Sequence, residues 1–70
     1  MEILVFKTNV TSRKKVSMIA PLLTSLPTIR QWNFDLEDRD KVLRIEATHL
    51  NPGSVESLLL MAGFDCQELV

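Results

Sequence analysis

Apolar residues recur at every second position, then at every third or fourth, and the chain runs through this change of period twice. In "MEILVFKTNV", Leu4, Phe6, Thr8 and Val10 fall on one side, and Ile3, Val5 and Lys7 on the other. That is a strand whose buried face is set by Leu4 and Phe6. Thr11 or Ser12 then N-caps a helix whose apolar positions Val16, Ile19, Leu23 and Leu26 are spaced by threes and fours. Pro21 lies inside that stretch. It removes a backbone donor at a cost of about 3 kcal/mol in an isolated helix, which predicts a bend or a loosened turn. Pro27 ends the helix.

"TIRQWNFDL" places Trp32, Phe34 and Leu36 opposite Gln31, Asn33 and Asp35, the pattern of a half-buried strand. "EDRD" is a polar hairpin loop, and "KVLRIEAT" returns with Leu43, Ile45 and Ala47 alternating against Val42, Arg44 and Glu46. In "HLNPGSVESLLLMAG", Asn51 N-caps, Pro52 suits the first helical position, and Val55, Leu58, Leu59 and Ala62 form the stripe that Gly63 closes. "FDCQELV" is a short last strand. The order βαββαβ is most economically satisfied by an α+β, ferredoxin-like arrangement: a four-stranded antiparallel sheet with two helices on one face.

Composition narrows the function classes. Seventy residues suit one domain spanning 1–70, and 46% hydrophobic residues with only two glycines set the chain apart from disordered sequences. A net charge of −1, with Phe6, Trp32, Phe34 and Phe64 as the only aromatics, argues against nucleic acid, which calls for a basic stripe. No leader-like start and no run of roughly 20 apolar residues is present, so neither secretion nor membrane insertion is expected. Cys66, the single cysteine, permits no internal disulfide, which fits a reducing, cytoplasmic location.

"LTSLPTIRQWNFDL" and "LLLMAGFDCQELV" together resemble the heavy-metal-associated, copper-chaperone-like domain family over about Leu4 to Leu69. That family holds a soft ion such as copper(I) between two thiolates of a C-x-x-C motif where strand one meets helix one. Counted back from Pro27, the two cysteine positions fall on Ser12 and Lys15, and the methionine that precedes them falls on Val10. A hydroxyl and an ammonium cannot replace thiolates, so the resemblance implies a scaffold without its metal site and without a cofactor. Cys66, His49, Met18 and Met61 are the substitute ligands a divergent metallochaperone would use. Their bland roles are a small buried thiol, a solvated loop histidine and core-filling methionines.

What remains is "TSRKK". A helix N-terminus already presents free N–H groups and partial positive charge, and Arg13, Lys14 and Lys15 add to it. Thr11, Ser12, Arg13, Lys14 and Lys15 therefore form a candidate contact point for an acidic protein partner or a small anion. The competing reading pairs these cations with Asp35, Glu37, Asp38 and Asp40 of the neighbouring hairpin, as ordinary surface electrostatics. A homodimer has two routes: the open sheet face around Ile3, Val5 and Val42, or strand addition at a sheet edge. Acylphosphatase-type enzymes share the fold class, but Arg13, Asn33 and Asn51 match no phosphate-cradling motif, and no nucleophile–base set is present. A non-enzymatic binding protein is the expectation.

Overall fold

The computed structural model describes residues 1–69. Strands β1 (Glu2–Thr8), β2 (Ile29–Asp35), β3 (Val42–Ala47) and β4 (Cys66–Glu68) form one antiparallel sheet in the order β2-β3-β1-β4. Helices α1 (Arg13–Thr24) and α2 (Pro52–Met61) supply the predicted crossovers. The final strand is shorter than the stretch 64–70 suggested, and Val70 lies outside the described residues.

Pairing follows the alternation. Leu4 stands opposite Ile45 and Phe6 opposite Leu43, and all four are buried with Val16, Ile19 and Leu23 of α1 and Val55 and Leu59 of α2. Both helices therefore cover the same sheet face. Each such side chain contributes roughly 1.5–3 kcal/mol by leaving water. Val10 is buried although β1 ends at Thr8, because Thr8 turns the chain inward: its hydroxyl accepts from Val10 N–H at 3.2 Å and donates to the Lys41 carbonyl at 2.5 Å.

Three local details depart from simple periodicity. A register shift between Ile29 and Gln31 lets Ile29 and Trp32 both pack against the core, which strict alternation forbids. α1 runs without a break through Pro21, whose missing donor falls on the exposed flank, where water can serve the carbonyl it leaves free. Leu26, expected on the α1 stripe, lies beyond the end of the helix at Thr24 and is half-buried.

α2 ends as its sequence prescribes. Gly63 takes φ +94°, and Phe64 N–H reaches back to the Leu59 carbonyl at 2.9 Å. This pattern satisfies otherwise orphaned helix carbonyls and tucks Phe64 into the core.

Candidate functional site

β1, the hairpin between β2 and β3, the start of α1 and the end of α2 meet at one end of the sheet. Thr8 N–H donates to the Asp40 carbonyl at 3.0 Å, tying the hairpin to β1. Asp65 N–H donates to Asn9 Oδ1 at 2.8 Å, tying the α2–β4 loop to the β1–α1 loop. The opening turn of α1 is thus fixed on two sides.

In that turn Ser12 is the N-cap. It is extended, with φ −147° and ψ 157°, and its hydroxyl accepts from Lys15 N–H at 3.3 Å. This hydrogen bond occupies one of the free donors of the helix start. Arg13, Lys14 and Lys15 are all exposed, and the Lys15 ammonium donates to Thr11 Oγ1 at 3.1 Å. The five predicted residues are therefore brought together at one helix start. Ser12 and Lys15 flank the opening turn of α1, where the resemblance places its ligands.

The predicted pairing with the acidic hairpin does not form. Asp35 Oδ1 accepts from the N–H groups of Glu37 and Asp38 at 3.2 and 3.3 Å, and Asp38 Oδ1 accepts from Asp40 N–H at 2.8 Å. Asp40 faces Lys7, with 4.0 Å between ammonium and carboxylate. Asp35 and Asp38 spend their carboxylates on their own turn because short acidic side chains reach local N–H groups at less entropic cost than distant cations. Among the described residues, no carboxylate pairs with Arg13, Lys14 or Lys15.

The substitute metal ligands do not converge as a set. His49 sits at φ +52° in the β3–α2 connection, at the far end of the sheet. Met18 and Met61 are not core filler: they are 59% and 85% exposed. Cys66, opposite Thr8 on β4, is half-buried against the core, and its thiol is pushed up to about 12, first by burial and then by the nearby Glu56 carboxylate. In the metal-free chain it is therefore protonated at neutral pH, and a soft metal or an electrophile must displace that proton to reach the sulfur. No cluster of three or more His, Cys, Asp and Glu side chains placed to hold a metal ion occurs among the described residues.

On the open sheet face, charged side chains stand among the aliphatics. Exposed Ile3 stands opposite Glu46 and half-buried Val5 opposite Arg44, so each has a charge beside it. Glu56 and Asn9 carry roles that sequence reasoning missed, for nothing local marks them: each acts through a partner 12 and 56 residues away.

No protein-family model and no curated protein matches the chain by sequence. Solved structures match its shape. The yeast copper transporter domain Ccc2a, known in apo and Cu(I)-loaded states, superposes at TM-score 0.84 with 15% identity, covering 100% of this chain and 97% of that one. The fold is that of heavy-metal-associated domains. The N-terminal domain of ZntA in its Zn(II) form gives TM-score 0.79 and 16% identity, over 94% of this chain and 89% of that one. The Atx1–Cu(I)–Ccc2a complex gives 0.80 and 15%, over 100% and 97%. No helix of the described residues is long and apolar enough to cross a membrane.

Proposed function

We propose that this chain is a non-enzymatic binding domain of heavy-metal handling in a reducing, cytoplasmic compartment, docking an acidic partner protein or small anion at Thr11, Ser12, Arg13, Lys14 and Lys15. One observation carries the reading: three adjacent cations stand exposed at a helix start with no carboxylate pairing with them among the described residues. Cations there work against the helix dipole by about 0.3–1 kcal/mol each, so fold stability does not account for them. The fold shared with Ccc2a, which is known in an Atx1–Cu(I)–Ccc2a complex, supports a docking role in a metal-handling setting.

The test is a salt titration of binding to an acidic domain of the same fold. Affinity falls steeply with ionic strength, and Lys15→Glu weakens it, because solvent-exposed charges carry the contact and salt screens them. Salt-independent affinity that survives Lys15→Glu refutes the site.

A second reading, in which the chain itself carries metal through non-standard ligands, is supported by the Zn(II) and Cu(I) forms among its structural neighbours. Met18 and Met61, both exposed, and the half-buried Cys66 supply the sulfur such a site would draw on, and a soft ion binding Cys66 would displace its thiol proton. Native mass spectrometry under reducing conditions decides it. Stoichiometric copper(I) or zinc, lost in Cys66→Ser or in a Met18→Leu, Met61→Leu double variant, favours this reading over the first.

A further inference from the structure

On the side of the sheet away from β2, a groove of about 850 Å³ runs between the outer flank of α2 and the edge strand β4. Gly53, Glu56, Ser57 and Leu60, spaced to share one side of the helix, form one wall, and Asp65 and Cys66 belong to the other.

The edge of β4 has a defined polarity. Phe6 stands opposite Glu68, and Leu69 N–H donates to the Val5 carbonyl at 2.8 Å. By antiparallel alternation, the backbone groups of Gln67 and Leu69 turn toward β1, and those of Cys66 and Glu68 turn outward, toward the groove. The outward Glu68 N–H is held by a side chain: Glu56 Oε2 accepts it at 2.8 Å. That carboxylate occupies the place an added strand's carbonyl would take.

Charge indicates the kind of segment that fits. Glu56 and Asp65 line the groove and Glu68 lies on its strand, against the single cation Lys7, whose ammonium faces Asp40 at 4.0 Å. Leu60, 66% exposed, offers an apolar contact on the helix wall. The upward shift of the Cys66 thiol, to which Glu56 contributes, agrees with a negative local field.

We propose that this groove takes an extended basic segment of a partner protein as an additional strand on β4, its backbone carbonyl replacing the Glu56 carboxylate on the Glu68 N–H. A lysine or arginine of the segment then pairs with the released Glu56. Main-chain hydrogen bonds supply the affinity and the carboxylates select the charge. The site is separate from the opening turn of α1, so either contact can fail without the other.

The experiment uses the full chain, isotope-labelled for NMR, and a short synthetic peptide alternating lysine with valine. Saturable shifts at Cys66, Gln67 and Glu68 are expected, with slower amide exchange at Glu68. The exposed Ser57→Lys variant, folded by circular dichroism, should bind about tenfold more weakly, by like-charge repulsion across the groove. Two control peptides, one alternating glutamate with valine and one alternating lysine with N-methylated valine, should not bind. Equal binding by either control, unchanged affinity in Ser57→Lys, shifts confined to the hairpin or to α1, or dimerisation of the chain through β4 in place of peptide capture would each overturn the assignment.

Discussion

At the opening turn of α1, three exposed cations share a single side-chain contact, the Lys15 hydrogen bond to Thr11. At the seam between α2 and β4, Asn9, Asp65 and Glu56 each bind a partner distant in sequence, and Phe64 is buried beneath them. Both regions adjoin the same end of the sheet. One keeps its charge available, and the other uses its polar groups to hold a three-residue strand in place. A strand that short cannot hold its register by ladder bonds alone, so side chains complete the edge. The α1 turn is already anchored by its N-cap and by the core below it, and its outer side chains are released from structural work.

Perturbing the seam should cost stability, and perturbing the turn should not. Phe64→Ala is expected to have the largest effect, about 3 kcal/mol lost in urea denaturation, because it empties a core position and unseats the C-cap of α2. A loss below about 1 kcal/mol would mean that the seam is not anchored there. Glu56→Ala should cost about 1.5 kcal/mol, for it removes a charge-assisted hydrogen bond from the Glu68 N–H. Hydrogen exchange should accelerate at Glu68 in particular, and uniform acceleration would point to general loosening.

Cys66 gives the seam a pH signature. Its thiol titrates at about 12 when folded, against 9.0 ordinarily, so between those values the folded chain holds a proton that the unfolded chain has released. The associated stability is intact below pH 9.0 and lost as pH rises toward about 12. Thermal melts of Cys66→Ala should show a shallower alkaline decline than the parent chain, and identical slopes would remove the thiol from the account.

The smallest effect belongs to the turn. Arg13→Glu, Lys14→Glu and Lys15→Glu should each raise stability by about 0.3–1 kcal/mol, since a carboxylate suits a helix N-terminus, while each weakens docking. Stability that falls instead would show these cations to be structural.

Periodicity and end signals were enough to place every element of this chain. Alternation put Leu4, Phe6, Leu43 and Ile45 on the core face, and Asn51, Pro52 and Gly63 marked the limits of α2. Those are local properties, set by backbone geometry within a few residues, and a sequence carries them whatever surrounds it. The candidate turn at 11–15 was legible for the same reason. Tertiary structure alone decided which charges remain free. Asp35 and Asp38 turned to their own backbone, Glu56 crossed to the edge of β4, and Met18 and Met61 came to the surface. Each of these outcomes depends on which groups the register and the helix rotation bring within about 3 Å of one another, and hydrogen bonding is decided at that distance.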